Sequence, residues 1–213
     1  MHTKELIQAC YNGSSEMVNQ FSNAVITFLF NIILMRLAGP NGVAAITILL
    51  YGQFLFNAFY LGFSIGTSPI VGYQYGAGNR KELKSIYRIS FRFVSISSVI
   101  IAFAAVYLST GIVTIFTDDP KTHALAVTGF GIFAYNFLFS GFNIASSGFF
   151  TALSDGKSSA IISFCRTLLF TVISLLVLPR FFGVNGAWLA IPVAEFVTLL
   201  LSIWMHRKYL YRF

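Results

Sequence analysis

Apolar residues fill long stretches of this chain, and the few charged residues are concentrated in the gaps between them. Four windows of 19 residues or more contain no Asp, Glu, Lys or Arg: residues 17–35, 37–79, 93–117 and 122–154. A helix that crosses a bilayer needs about 20 mostly apolar residues, at a rise of about 1.5 Å per residue. The pattern therefore predicts membrane-spanning helices.

Turn residues divide these stretches into six predicted spans. Residues 39–42 read GPNG and form the first turn, and Pro179 ends the fifth span. The spans are predicted at about 15–36, 43–75, 88–115, 122–152, 158–178 and 185–206, within a single six-helix lobe that covers residues 1–213. The predicted fold class is an all-α polytopic membrane protein.

The composition excludes several classes of protein. Hydrophobic residues make up 56% of the 213 residues and charged residues only 10%, whereas a soluble domain carries about 25% charged residues. A soluble enzyme, a nucleic-acid binder and a disordered chain are excluded on this ground. An outer-membrane barrel would alternate apolar and polar residues over strands of about 10 residues, and these runs are longer. The lipid bilayer is the expected partner.

The basic residues predict the orientation in the membrane. The net charge is +7, and eleven of the 14 Lys and Arg fall on the side that holds both termini if there are six spans. Lys and Arg are enriched in cytoplasmic loops, so both termini are predicted to be cytoplasmic in a cell inner or plasma membrane. The first ten residues lack the apolar core of a signal peptide, so the first apolar stretch is predicted to be a span.

Polar side chains recur at helical spacing inside the predicted spans. Polar groups in hydrocarbon are costly unless they face protein or water. Ser and Thr are attributed to contacts between helices, whereas columns of amides favour a water-filled cavity. The predicted cavity residues are Asn19, Asn23, Gln53, Asn57, Tyr60, Asn136 and Asn143.

Two carboxylates are candidates for ion coupling. Glu16 lies at the start of the first span, where a helix N-terminus would also favour an acid for purely structural reasons. Glu195 lies in the middle of the sixth span, and an acid at that depth is a functional candidate by default. Three roles are open to it: proton exchange, pairing with a cationic substrate, and a structural pair with Arg166.

The end of the second span is a candidate hinge. Pro69 removes one helical hydrogen bond, and Gly76 and Gly78 permit a tight backbone beyond it. Such a kinked helix suits a transporter that alternates between two openings, although a static kink is the alternative. The sequence shows no metal-ligand cluster, nucleophile triad or phosphate loop, so neither an enzyme nor a cofactor is predicted.

Several motifs together resemble one family. Residues 73–79 read YQYGAGN, which resembles the Y-x-Y/F-G-x-G-N pattern of the multidrug and toxic compound extrusion (MATE) family. The segments at residues 39–46 and 183–195 both open with G-x-N-G and also resemble it. Residues 141–152 resemble the family's tenth helix, in which many members carry an acid for cation coupling, whereas this span offers Asn143 and no carboxylate. The matches are similar to the C-terminal lobe, helices seven to twelve.

The resemblance implies a twelve-helix exporter of two lobes around a central cavity. Such an exporter expels small organic cations by antiport with H⁺ or Na⁺ and uses no other cofactor. This chain would be a half-transporter or a fragment, with a missing N-terminal lobe or a second copy in a homodimer as its partner. Its cavity aromatics would hold flat cations by cation–π contact; the expected residues are Phe30, Phe56, Tyr60, Tyr135 and Phe139.

Two alternatives remain open. A lipid-linked oligosaccharide flippase of the related superfamily would also have a polar, kinked cavity, but with several basic side chains for pyrophosphate, where only Arg166 is available. A non-transporting remnant would keep the spans without a coupling group.

Overall fold

Helices make up nearly the whole structure, which is a computed structural model that describes residues 3–210 and the side chains of residues 21–208. The α-helices are α1 (Thr3–Gly76), α2 (Arg80–Phe116), α3 (Pro120–Phe133), α4 (Phe137–Ala152), α5 (Gly156–Phe164) and α6 (Phe170–Leu210). A 3₁₀ turn at Ala134–Asn136 joins α3 to α4, and a π-helical segment at Cys165–Leu169 joins α5 to α6. The all-α prediction is confirmed.

The described residues form four continuous helical segments rather than six separate helices, and kinks divide two of these segments into two arms each. Four continuous helical segments are long and apolar enough to cross a membrane: Phe21–Gly76, Arg80–Phe116, Pro120–Ala152 and Gly156–Lys208. Two of the predicted breaks between spans are instead kinks inside helical segments. Gly39 (φ 65°, ψ −157°) interrupts α1, and Gly183 (φ 55°, ψ −132°) interrupts α6.

The chain folds back at both kinks. Residues eight positions apart in a straight α-helix are about 12 Å apart. A Cβ at Gly42 would nevertheless lie 3.0 Å from the carbonyl oxygen of Leu34, and one at Gly186 would overlap the carbonyl group of Leu178. Each kinked helix therefore consists of two arms: 3–38 and 40–76 in α1, and 170–182 and 184–210 in α6. Both glycines have a positive φ, which few other residues adopt.

The main hydrophobic core lies toward the kinks. We call the end formed by Gly39, residues 117–119 and Gly183 the kink end, and the opposite end, at residues 77–79, 153–155 and 207–208, the basic end. The core toward the kink end includes the fully buried side chains of Phe30, Leu34, Ile46, Leu49, Phe130, Phe133, Phe137 and Trp188. A smaller cluster packs at the basic end, around Val71, Leu83, Phe150, Leu153 and Ile162.

Two turns at the basic end are built in the same way. Gly78 (φ 67°) and Ser154 (φ 61°) each occupy the left-handed position that follows a helix, as in a Schellman motif. The next residue then caps the following helix: Asn79 Oδ1 accepts from the Glu82 N–H, and Asp155 Oδ1 from the Ser158 N–H. Gly78, predicted to be a hinge residue, therefore forms part of the C-cap of α1.

The other two predicted hinge residues are in helical backbone. Gly76 is the last residue of α1, and Pro69 lies inside its second arm.

The outer surface is that of a multi-pass membrane protein. On α2, Phe103 is 74% exposed and Ile115 82% exposed. Apolar surface of this extent is stable in lipid and not in water.

Candidate functional site

An open groove of about 700 Å³ runs along one face of the helices, between both arms of α1, α4, the π segment and the second arm of α6. Thirteen of its 21 lining residues carry polar side chains, while apolar atoms supply the larger part of the exposed lining. The polar lining residues are Asn23, Thr27, Gln53, Asn57, Ser64, Ser68, Ser147, Thr151, Ser163, Arg166, Thr167, Thr171 and Glu195. A surface of this kind would be costly against lipid, so the groove faces water or another protein surface.

Large apolar side chains form part of the lining where the groove is open. Phe54 is 73% exposed, Ile65 71% and Leu61 45%. They come from the same arm of α1 as Gln53 and Asn57. Positions three, four and seven apart share a helix face, so these side chains line the same groove as the two amides. The open side therefore offers apolar contact next to the hydrogen-bonding floor.

A buried ion pair lies in the wall of the groove. Arg166 Nε is 2.9 Å from Glu195 Oε1, with 18% of the Arg166 side chain exposed and 4% of the Glu195 side chain. Arg166 Nε makes no hydrogen bond, so the contact is electrostatic without a well-aligned N–H···O bond.

The other carboxylate oxygen of Glu195 is held by a buried amide. Asn143 Nδ2 donates to Glu195 Oε2 at 2.7 Å and to the Glu195 backbone oxygen at 2.9 Å. Ser202 Oγ donates to Asn143 Oδ1 at 3.0 Å. The chain of contacts joins α4 to α6 and fixes the Glu195 side chain from behind the groove.

Arg166 projects from irregular helix. It belongs to the five-residue π segment, and its backbone oxygen accepts from Thr171 Oγ1 at 2.8 Å. Single π turns inside α-helices occur frequently at functional sites.

Hydroxyls cluster at the end of the groove nearer the basic end. Ser147 Oγ lies 2.9 Å from Ser159 Oγ and 2.8 Å from Ser163 Oγ, and Thr151 Oγ1 donates to Ser159 Oγ at 2.8 Å. These contacts join α4 to α5. Some of the Ser and Thr residues that the sequence assigned to helix contacts therefore serve both that role and the groove.

Three of the predicted substrate-binding residues line the groove: Asn23, Gln53 and Asn57. Asn57 is mostly buried, and its Oδ1 accepts from Ser140 Oγ at 3.2 Å. Asn19 and the predicted coupling acid Glu16 lie outside the residues whose side chains are described.

The other three predicted substrate-binding residues are packed inside the protein and do not line the groove. Tyr60 donates its hydroxyl to the backbone oxygen of Phe137 at 3.1 Å. Asn136 is fully buried and donates to the backbone oxygen of Phe133 at 2.6 Å. Asn143 supports Glu195 from behind.

The aromatic residues expected to hold cations are also not in the groove. Phe30 is fully buried in the core, Phe56 packs edge-on against Phe137, and Phe139 packs against Phe196. Tyr135 is exposed away from the groove lining. Among the described residues, the aromatic side chain that lines the groove is Phe54. It was missed from the sequence, although its place three residues before Asn57 puts it on the same helix face.

Comparisons with known proteins agree on one family. The MatE family model matches residues 17–176. No curated protein matches the chain.

Solved transporters share the fold. An outward-facing multidrug resistance MATE family transporter of the MOP superfamily aligns with a TM-score of 0.85 at 19% identity, over 92% of this chain and 45% of that one. A MOP superfamily transporter from Pyrococcus furiosus is described as having a binding pocket of reverse polarity that suggests a different function. It aligns with a TM-score of 0.84 at 19% identity, over 92% of this chain and 45% of that one. A variant of a Vibrio cholerae MATE transporter aligns with a TM-score of 0.83 at 18% identity, over 93% of this chain and 44% of that one. The chain thus spans less than half the length of these structures.

Proposed function

Because this chain belongs to the MatE family, we propose that it forms the C-terminal lobe of a secondary active transporter that exports organic cations by antiport with H⁺ or Na⁺. The observation that carries the proposal is the open groove of about 700 Å³ with a polar floor. A cavity of several hundred Å³ suits a drug-sized molecule.

A second lobe would complete the cavity. The open side, with Phe54, Leu61 and Ile65, would face either an N-terminal lobe or a second copy of this chain. Two lobes that rock against each other around a shared site provide alternating access.

Three neutral amides would orient the substrate. Asn23, Gln53 and Asn57 line the groove on two arms of one helix and can each donate and accept hydrogen bonds. Phe54 would contribute apolar or cation–π contact, of about 0.5–2 kcal/mol. Weak contacts of this kind favour broad recognition over a single tight ligand.

Glu195 is the described residue best placed to couple the transport to an ion, because its carboxylate reaches the groove from a buried position. Glu195 lies within the second arm of α6, so the coupling site would lie inside a membrane span. The membrane would be the cell inner or plasma membrane, with both termini in the cytoplasm, as the distribution of Lys and Arg suggests.

A lipid-linked oligosaccharide flippase fits the groove less well. A pyrophosphate needs several cationic donors. Among the described residues the groove offers a single basic side chain, Arg166, and that one is paired with Glu195.

Transport by purified protein tests the proposal. The full chain would be reconstituted into liposomes at rising protein density, with ethidium inside and an imposed gradient of H⁺ or Na⁺. We expect gradient-driven ethidium movement that rises steeply with density, because two lobes must meet. The double variant Asn23→Leu, Asn57→Leu should lower it about tenfold or more, whereas Asn185→Leu, an exposed amide at the kink end, should not.

Two results would count against the proposal. Absence of ethidium movement at every density, both when cross-linking shows paired chains and when the N-terminal lobe of a MATE transporter is reconstituted with this chain, would favour a remnant without transport activity. Equal transport by the groove variant and the Asn185 variant would show that the groove is not the route.

A further inference from the structure

The Glu195 carboxylate has two unequal partners. Oε2 is held by Asn143, which is fully buried and is itself held by Ser202. Oε1 faces Arg166, which lines the groove and is the more exposed member of the pair. One oxygen is thus anchored to buried protein groups, while the other is paired with a side chain at the groove surface.

The contact on the groove side is the less directed one. The Asn143 bond is a directed hydrogen bond to a carboxylate, a strong class of interaction. The Arg166 Nε contact at 2.9 Å has no hydrogen-bond alignment, so its attraction is that of two charges. Another cation brought next to the same oxygen would also be attracted, by an amount that falls with the distance of its charge from that oxygen.

The pair also sets the charge of the groove. Arg166 and Glu195 are the charged side chains in its described lining, so the net charge of the lining is zero. Removing one partner would leave one full charge in a partly desolvated wall, where charges interact more strongly than in water.

From these contacts we propose that Arg166 is a tethered competitor for Glu195. Its guanidinium occupies the carboxylate in this conformation, and a cationic substrate must displace it to bind there. Arg166 is therefore a specificity-determining residue: it excludes weakly attracted cations and restores neutrality after release. The inference rests on the proposed transport of cations and names the group that controls access to the site.

The π segment supplies a route for the displacement. A π turn contains one more residue than the α-helical turn it replaces. When it reverts to α-helix, the residues on one side rotate by about 100°, the angle between successive residues of an α-helix. Such a change at Cys165–Leu169 would turn Arg166 away from Glu195 without unfolding the helix.

Binding of tetraphenylphosphonium to the purified full chain tests this directly. Arg166→Gln should tighten binding about tenfold, because the carboxylate loses its competitor. Arg166→Lys keeps the charge and should bind within about twofold of the parent chain. Glu195→Gln should weaken binding, and the double variant should lose the gain of Arg166→Gln.

Matched controls separate charge at the site from charge elsewhere. Arg180→Gln and Glu82→Gln make the same chemical changes at exposed positions outside the groove lining, and should leave binding unchanged. Tetraphenylsilane, the neutral analogue with the same four rings and no hydrogen-bonding group, should bind all variants equally. Unchanged or weaker phosphonium binding by Arg166→Gln would overturn the inference.

A second measurement needs no variant. Phenylglyoxal modifies free guanidinium groups, and mass spectrometry would report its reaction at Arg166. Saturating tetraphenylphosphonium should increase that reaction about threefold or more, while the reaction at Arg180 stays constant. Protection of Arg166, or no change, would contradict displacement.

Transport and displacement can fail separately. If phosphonium binding follows the charge changes but no gradient-driven movement occurs, the transport proposal fails and the competitor role stands. If ethidium is transported but Arg166→Gln alters neither phosphonium affinity nor the KM of transport, only the competitor role fails.

Discussion

The packed half toward the kink end and the open half at the groove are built from the same helices. In the packed half, glycines leave room for large neighbouring side chains. A Cβ on Gly129 would lie 3.0 Å from Leu49 Cδ2 and 3.1 Å from Trp188 Cε2. A Cβ on Gly52 would overlap the ring of Phe130. In the open half, amides and hydroxyls leave about 700 Å³ unfilled.

One helix arm runs through both halves and shows the transition from packed core to open groove most clearly. In the second arm of α1, Ile46 and Leu49 are fully buried in the core, whereas Gln53, Asn57 and Ser64 line the groove. The backbone is helical throughout, so the side chains alone decide where the helices close and where they open. A dry, densely packed core can therefore anchor arms that leave a groove between them along one face.

The largest expected effect is on stability, from the same truncation made in each half. Phe130→Ala removes a fully buried ring from the packed half and should cost about 3–5 kcal/mol of unfolding free energy, since buried Phe truncations leave a cavity. Phe54→Ala removes a ring that is 73% exposed in the groove and should change stability by about 0.5 kcal/mol or less.

Thermal unfolding of both variants in one detergent would check this contrast. The parent chain and a variant of an exposed phenylalanine outside the groove, Phe103→Ala, set the scale. A loss at Phe54 as large as at Phe130 would mean that the groove is filled in solution and that the two halves do not differ.

A smaller effect distinguishes the two partners of the ion pair. Arg166→Gln leaves the Glu195 side chain, which is 4% exposed, without its counter-charge and should cost about 3 kcal/mol. Glu195→Gln leaves Arg166, 18% exposed, which can still be hydrated from the groove, and should cost about 1 kcal/mol.

Unfolding temperatures of the two single variants and the double variant would test the asymmetry. The double variant should recover most of the loss caused by Arg166→Gln, since no buried charge is left unpaired. Equal losses for both single variants would indicate that the groove does not hydrate Arg166.

The helical framework of the packed half was predictable from sequence, because apolar windows and turn residues report helix ends, but its packing was not: Phe30, expected to hold a cation, is fully buried in the core. The windows and turn residues placed Gly39 in a turn and gave the all-α class. They did not show that each turn would consist of one non-helical residue, Gly39 or Gly183, between two helical arms, since a single positive φ can reverse a chain without a loop.

The open half was only partly predictable. Amide columns identified Asn23, Gln53 and Asn57, but the same signal selected Tyr60 and Asn136, which bond to backbone oxygens inside the protein. Polarity alone does not tell whether a side chain bonds to water or to protein. The pairing of Arg166 with Glu195 was one of three open roles, because it depends on how α6 and the π segment pack.

A further prediction concerns the two matching turns at the basic end, which lie beyond the groove. Gly78→Ala places a Cβ at φ 67° and should destabilise the chain by about 1–2 kcal/mol. Ser154→Gly removes the same strain at φ 61° and should stabilise it by about 1 kcal/mol.

Opposite shifts in unfolding temperature would confirm that the two turns are equivalent caps. If Gly78 were instead a hinge for transport, Gly78→Ala would alter the rate of ethidium movement at a temperature where the protein stays folded, and Ser154→Gly would not.

The smallest expected effect is a pH dependence at the kink end. Asp119 caps α3: its Oδ2 accepts from the Thr122 N–H at 2.8 Å. That backbone hydrogen bond, followed by the bond from the Thr122 side chain, lowers the pKa of the Asp119 carboxyl below its usual 3.8. Because the folded pKa is the lower one, Asp119 stabilises the folded chain above about pH 3.8, and this contribution disappears as pH falls through the folded value.

The gap in unfolding temperature between the parent chain and Asp119→Ala should therefore be largest at neutral pH and narrow toward pH 2–3. Asp118→Ala, at the neighbouring exposed position, controls for loss of a negative charge near the kink end. A gap that stayed constant down to pH 2 would mean that Asp119 caps α3 equally well when protonated, so that the packed half does not depend on a charge at its end. A gap that narrows would show that the kink end, although its core is buried, is stabilised at its surface by an ionised and solvent-exposed N-cap.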